Sequence, residues 1–155
     1  MADTIASERP ELLPPTYWFG CVLLMVAIHV FFPLVQTSEP AFTYAGIALI
    51  IVAGVFGGWA AWTFERHGTP IHPFEPTRCL VTVGPYRYSR NPMYFSLLVM
   101  LLGLWLILGS VTPGVVVMVF ETIISTRFIG PEERMLESRY GDAFRRYKAS
   151  VRRWI

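Results

Sequence analysis

The chain has 155 residues, of which 54% are hydrophobic and 15% are charged, and its formal net charge is +2. This composition, with its positive mean hydropathy, is too apolar for an ordinary soluble domain and indicates an integral membrane protein. We find no internal repeat or low-complexity tract, and we treat residues 1–155 as a single domain.

Four apolar stretches approach the roughly 20 residues that a helix needs to cross a bilayer. They lie at about residues 17–35, 42–62, 93–108 and 115–128. The first two are clear spans, whereas the last two are short and could tilt or pair as a hairpin. The intervening links are short and contain glycine or proline, so each pair of helices is expected to form antiparallel neighbours. The predicted fold class is all-α and polytopic, with about four transmembrane helices in two hairpins.

The basic residues indicate how this bundle is oriented. All 13 Lys and Arg residues lie on one side of the predicted topology, in the N-terminal tail, the middle loop 65–91 and the region from Arg127 to Arg153. The two short links carry none. By the positive-inside rule, both termini and the middle loop are expected to be cytoplasmic. The first eleven residues carry three acids against one arginine, so we expect no cleavable signal peptide.

The middle loop and the region after the fourth span are expected to be ordered. The loop 65–91 mixes four prolines with apolar residues, which predicts an irregular but packed segment. Pro131, followed by two acids, predicts the start of a C-terminal cytoplasmic amphipathic helix over 131–151. Gly141 could divide it, with Asp142 capping a second helix. Its apolar face contains Leu136, Tyr140, Phe144, Tyr147 and Val151. An alternative is that this helix lies on anionic lipid.

A polar cluster at 84–94 opens the third apolar stretch. Asn91 precedes Pro92, a pattern that predicts an N-cap and a helix beginning at the proline. Free backbone N–H groups at that helix start suit a carboxylate or phosphate, and Arg87 and Arg90 would add charge-assisted hydrogen bonds. Alternatively, the arginines only snorkel toward lipid head groups. Aromatic rings are placed in the same segment by Tyr86, Tyr88 and Tyr94.

Glu132 and Glu133 follow the fourth apolar stretch and complement this cluster. If the third and fourth helices pair, their cytoplasmic ends meet, which brings these carboxylates near Arg90 and Tyr94. A site with an anion-binding half and a cation-binding half suits a zwitterionic ligand, such as an amino acid moiety. Alternatively, the two acids only stabilise the helix dipole.

A few other ionisable residues need an explanation. Glu121 lies inside the fourth stretch, where it is either functional or hydrogen-bonded to Thr122, Ser125 or a neighbouring helix. We expect His29 to be a satisfied core histidine, and no spacing supports a role for His72. Cys21 lies in a predicted span and Cys79 in the cytoplasmic loop, so we expect no disulfide. Neither cysteine has metal-ligand spacing, so we expect no bound metal.

Taken in order, these residues resemble the membrane methyltransferases of the isoprenylcysteine carboxyl methyltransferase and phospholipid methyltransferase superfamily. The resemblance covers roughly residues 73–154. Its motifs are Gly84-Pro85-Tyr86, Arg90-Asn91-Pro92-Met93-Tyr94, Glu132-Glu133, Leu136, Tyr140-Gly141 and Tyr147. Asn91 replaces the histidine of the isoprenylcysteine enzymes, and Ser96 stands where a glycine often occurs. These departures leave the acceptor class open.

The resemblance implies that S-adenosyl-L-methionine binds at the cytoplasmic ends of the hairpin helices. Methyl transfer to a lipid-like or prenylated acceptor would follow, onto a carboxylate, amine or thiol. Glu133 and Arg87 would be catalytic and lie nearer the acceptor, with Glu133 as a general base. The residues that would bind the cofactor are Tyr86, Arg90, Asn91, Tyr94 and Glu132.

Two other functions are alternatives to this one. A membrane reductase would need a nicotinamide cofactor, and the chain has no glycine-rich dinucleotide fingerprint. A non-enzymatic module would use its basic face to recruit lipid or a partner. We expect membrane lipids and an amphiphilic substrate as partners and no nucleic acid. The oligomeric state is not predicted.

Overall fold

A computed structural model describes residues 13–37, 39–68 and 79–155 of the protein. Its elements are α1 (Pro14–Phe31), α2 (Pro40–Arg66), a 3-10 turn (Gly84–Arg87), α3 (Pro92–Leu108), α4 (Gly114–Ile124), a π-helical turn (Ser125–Ile129), α5 (Gly130–Tyr140) and α6 (Asp142–Ser150). Within these ranges there is no β-strand beyond one isolated bridge, which confirms the all-α expectation. Residues 69–78 of the predicted middle loop, which include His72, lie outside the described residues.

The helices are those of a multi-pass integral membrane protein. Three are long and apolar enough to cross a bilayer: α1, α2 and the continuous helix Gly114–Tyr140. The fourth, α3, is apolar but has only 17 residues, close to the lower limit for a span. Prolines begin α1, α2 and α3, where a missing N–H costs nothing. α1 ends at Phe31 rather than at the expected residue 35, because Pro33 cannot continue the helix.

α3 is the central helix of the bundle. The other three long helices all contact it, with the largest contact made by α2. We expected α1 and α2 to be close neighbours, but the structure corrects this: they make little contact with each other, and α1 packs instead on α3 and α4. Without a hydrophobic drive between helices in lipid, a short link alone does not force two spans together.

Glycines let α2 and α3 approach closely. A Cβ on Gly103 would lie 2.7 Å from the carbonyl oxygen of Gly46, and one on Gly57 would overlap Ser96. Such small-residue contacts are a common way for membrane helices to pack. The glycine-rich run of α2 thus serves packing within the chain at Gly54 and Gly57.

At one end of the bundle, the two short links are joined by hydrogen bonds. The Thr37 N–H donates to the Gly109 carbonyl at 2.8 Å. Nearby, Nδ1 of His29 lies 2.8 Å from Oγ of Ser110. His29 is therefore a partnered, part-buried histidine, as expected. We call this the turn end; the opposite end, where α1 and α3 begin and α2 finishes, is the basic end.

The fourth span does not stop where the sequence indicated. We expected it to end at residue 128 and a new helix to begin at Pro131, but the helix runs without a break from Gly114 to Tyr140. Pro131 cannot donate the hydrogen bond of a regular helix. The π-helical turn directly before it widens the backbone, and the Gly130 N–H bonds to the Ser125 carbonyl.

The predicted amphipathic helix over 131–151 is divided at Gly141, where φ is +50°. Asp142 does not cap α6, because its carboxylate accepts hydrogen bonds from Arg145 instead. The apolar side chains Phe144 and Tyr147 are buried. That face of α6 therefore packs on the protein, which does not fit the alternative of a helix lying on lipid by this face.

The α2–α3 contact makes a testable prediction. Gly103→Ala places a methyl group against a backbone oxygen that cannot move aside, so we expect destabilisation of about 1–3 kcal/mol. Thermal unfolding in detergent would measure it. The control is Gly58→Ala, a helical glycine with nothing within 4 Å of the added Cβ, which we expect to be neutral or slightly stabilising. Equal stability of the two variants would contradict this packing.

Candidate functional site

Four segments converge at the basic end of the bundle. They are the 3-10 turn, the first turn of α3, the start of α5, and residues 151–155, which follow α6. Gly84 permits the chain to enter the 3-10 turn at φ +61°. Tyr86 of that turn is only 3% exposed and stacks on Phe64 of α2 with ring centroids 4.9 Å apart. The turn is thus anchored to the bundle rather than free at its surface.

Tyr94 and Glu132 form a direct contact between α3 and α5. The Tyr94 hydroxyl donates to Oε1 of Glu132 at 2.6 Å, a short bond typical of a charged acceptor. The Tyr94 ring also lies near Phe128 of the π-helical turn, with centroids 6.3 Å apart. The expected meeting of the two helix ends is therefore present.

Glu133 is shared by two arginines. Its Oε1 lies 3.1 Å from Nη1 of Arg90, and its Oε2 accepts a 2.7 Å bond from Nη2 of Arg153. The side chains of Arg90 and Glu133 are each 9% exposed. Hydrogen bonding to Glu133 also raises the pKa of Arg153 above its ordinary value. This network joins α3, α5 and the segment 151–155.

Asn91 occupies the N-cap position of α3, as expected, but its side chain makes no capping bond. Instead, its Nδ2 donates to the carbonyl oxygen of Arg153 at 3.1 Å. Its backbone N–H donates to Oγ of Ser89, which in turn donates to the same Arg153 oxygen at 3.3 Å. The amide that we expected to face a cofactor is therefore engaged with the segment after α6.

Some buried polar atoms at this site have no hydrogen-bond partner among the residues described. They are the Tyr86 hydroxyl and two nitrogens of Arg90, Nε and Nη1. Nη1 is close enough to Glu133 for an ion pair, but the alignment does not make a hydrogen bond. Buried polar groups without partners are uncommon, and each asks for an explanation. A polar ligand is one such explanation.

The two buried tyrosines at this end keep their protons. Burial, with a smaller contribution from the nearby Tyr147 and Glu132, raises the pKa of Tyr86 far above its ordinary value. Burial likewise raises the pKa of Tyr147, although the charge of Arg90 opposes it. The Tyr147 hydroxyl donates to the Tyr86 carbonyl at 2.7 Å. Tyr86 therefore presents a neutral hydroxyl at this end of the bundle.

Two further residues noted in the sequence are Arg87 and Glu121. Arg87 is exposed on the 3-10 turn. Glu121 accepts a 2.6 Å bond from Ser125, one of the structural partners considered for it. No group of three metal-binding side chains occurs in the described part of the chain.

Sequence reasoning missed three contributors to the site: Arg153, Ser89 and Tyr147 as a bonding partner of Tyr86. Arg153 was one of many basic residues counted for topology, and Ser89 belongs to no motif. Ser89 is fully buried, which no periodicity in a loop could indicate. For Tyr147, its place on the apolar face predicted burial but not its partner.

The protein is thus an all-α membrane protein with a charged, partly buried site at one end of its helix bundle. A family model described as phospholipid methyltransferase matches residues 41–143. The chain therefore belongs to the phospholipid methyltransferase family. This membership supports methyl transfer to a lipid-like acceptor.

The comparisons add one similar sequence. Over 63 residues the chain is 46% identical to an uncharacterized protein of Haemophilus influenzae, an alignment that spans 41% of this chain and all of that protein. No solved structure matches the chain.

The shared carboxylate makes a second prediction. Glu133→Ala leaves Arg90 buried without its counter-charge, so we expect a loss of about 3–5 kcal/mol in stability. Glu137→Ala on the same helix removes partly exposed, longer ion pairs, and we expect little change. Thermal unfolding of both variants in one detergent tests the contrast, and a Glu133→Ala variant as stable as Glu137→Ala would refute it.

Proposed function

We propose that the protein transfers a methyl group from S-adenosyl-L-methionine to a lipid-like acceptor at the cytoplasmic face of the membrane. The observation that carries the proposal is the Tyr94–Glu132 contact beside the buried Arg90. It provides a negative and a positive group at the junction of α3 and α5. Family membership supplies the reaction class, and the charge asymmetry of the sequence supplies the orientation.

The residues present fit this cofactor. Its amino acid moiety carries an ammonium and a carboxylate, and its sulfonium carries a further positive charge. Glu132, held by a neutral tyrosine hydroxyl, suits a positive group. The unpartnered Tyr86 hydroxyl and Arg90 nitrogens suit a carboxylate or a hydroxyl acceptor. The Tyr94–Glu132 and Arg90–Glu133 contacts both join the start of α3 to the start of α5, so an acidic and a basic group are available at one junction.

The protein's own contribution would be binding and orientation. When bound, S-adenosyl-L-methionine supplies an electrophilic methyl group on sulfur. Tyr94 fixes the Glu132 carboxylate, so the positive part of a ligand would meet a preoriented charge. The buried Tyr86, Phe128 and Ile129 around this end limit access of water.

The acceptor is proposed to be amphiphilic and to arrive from the bilayer. The described faces of α1 and α2 carry many exposed apolar side chains, among them Leu23, Ile51, Val52 and Val55. These faces suit contact with lipid tails, while the polar site lies at the helix ends. An acceptor with an apolar body and a polar head would match both environments.

The two residues expected near the acceptor are proposed for different tasks. Arg87 is exposed, so it is available to an anionic head group. Glu133 is held by two arginines, and a carboxylate so engaged has few lone pairs left to take a proton. We therefore assign Glu133 first to holding Arg90 and Arg153. Its role as a general base stays a prediction, relevant only to an acceptor that arrives protonated.

The binding half of the proposal can be measured directly. S-adenosylhomocysteine binding to the protein in detergent or lipid nanodiscs should be weakened about tenfold or more by Glu132→Ala, which removes a charged acceptor. Tyr94→Phe keeps the ring beside Phe128 but frees the carboxylate, so we expect a smaller loss. Calorimetry would give both affinities.

The matched control is Arg146→Ala on the exposed side of α6, which should bind as the unaltered protein does. Radiolabelled methyl transfer into extracted lipids and proteins would then identify the acceptor. If the folded protein showed no affinity for S-adenosylmethionine or S-adenosylhomocysteine, the proposed function would be wrong. Binding of a nicotinamide cofactor instead would favour the reductase alternative.

A further inference from the structure

Residues 151–155, which we call the strap, lie against the start of α3. Three consecutive residues before Pro92 donate hydrogen bonds to the strap backbone. Ser89 Oγ and Asn91 Nδ2 reach the Arg153 carbonyl at 3.3 and 3.1 Å, and the Arg90 N–H reaches the Arg152 carbonyl at 3.0 Å. The strap therefore ties down the segment that carries Arg90 and leads directly into Tyr94.

A side chain of the strap also anchors the strap to α5. The Arg153 guanidinium bonds to both oxygens of Glu133, with Nε at 3.3 Å and Nη2 at 2.7 Å. Such two-point contacts fix orientation as well as charge. Trp154 packs against the main hydrophobic cluster between the spans. Arg153 thus contacts the segment before α3 through its backbone carbonyl and contacts α5 through its side chain.

We infer that Arg153 and Asn91 are positioning residues for the site at the α3–α5 junction. The inference rests on the proposed function for the identity of the ligand, whereas the contacts of Arg153 and Asn91 do not depend on any ligand. Arg153 fixes the position of the Glu133 carboxylate, and Glu133 fixes the position of the Arg90 guanidinium. Asn91 acts by holding the strap, so its amide does not serve the cofactor directly. Through both residues, the strap fixes Arg90 and Tyr94 relative to Glu132.

Two neighbouring arginines provide a matched test. Arg153→Ala removes the anchor to Glu133, whereas Arg152→Ala removes an exposed side chain and leaves its carbonyl in place. Hydrogen exchange of the Arg90 amide, measured without any cofactor, should be about tenfold faster in Arg153→Ala and unchanged in Arg152→Ala. Unchanged exchange in Arg153→Ala would overturn the inference.

Ligand affinity gives a second readout that a merely structural role would not move. At a temperature well below unfolding, S-adenosylhomocysteine should bind about tenfold more weakly to Arg153→Ala than to Arg152→Ala. Arg153→Lys restores the charge without the two-point contact, so we expect an intermediate affinity. Equal affinity in all these variants would contradict positioning through Glu133.

Asn91 is tested by a double-mutant cycle. If Asn91 acts through the strap, its loss should matter less once Arg153 has been removed, so Asn91→Ala and Arg153→Ala should be less than additive in affinity. If Asn91 instead contacts the ligand, the losses should add, and this outcome would overturn its assignment. A carboxylate at position 91 cannot donate to the Arg153 carbonyl. If Asn91 acts through the strap, the Asn91→Asp variant should therefore lose at least as much affinity as Asn91→Ala.

Failure of the proposed function would be recognised separately. If the unaltered protein binds no S-adenosylhomocysteine, the proposed ligand is wrong. The exchange rate of the Arg90 amide still decides whether the strap holds the segment before α3. Faster exchange in Arg153→Ala supports the strap, and unchanged exchange overturns it, whichever ligand the site takes.

Discussion

The basic end of this protein depends on one carboxylate that two arginines share. Glu133 binds Arg90 and Arg153, and so joins three segments that are far apart in sequence. A buried ion pair is not in itself stabilising, because both charges lose their hydration. Once formed, however, the network is costly to break, since any loss leaves a buried charge without a partner. The site geometry is therefore set by electrostatics at its edge rather than by apolar packing alone.

The apolar helices position this network, and one of them carries its shared carboxylate. Close glycine contacts fix α2 against α3, and hydrogen bonds between the two links fix the turn end. Because the helices are restrained at the turn end, the start of α3 and the end of the fourth span face each other at the basic end. The π-helical turn before Pro131 then carries the helix onward, so that Glu132 and Glu133 extend from the same rigid rod that crosses the membrane.

Much of this could be predicted from the sequence, for identifiable reasons. Hydropathy located the spans, and the tight link after Leu108 implied the α3–α4 pairing that brings Glu132 to Tyr94. Two features could not be predicted. Apolar residues facing lipid look the same as those facing protein, so nothing indicated that α1 and α2 would barely touch. The contacts of Arg153 are made partly by its backbone carbonyl, and a backbone contact has no residue signature.

The two acids of the Glu132-Glu133 pair have separate environments, although they are adjacent in sequence. Glu133 is engaged by two cations, whereas Glu132 accepts a hydrogen bond from a neutral hydroxyl. Arg90, in turn, has nitrogens that Glu133 does not satisfy. The network thus divides the site into a negative half at Glu132 and a positive half at Arg90. A ligand that carries separated positive and negative groups could bind both halves without leaving either charge unpaired, whereas a simple anion could satisfy only one.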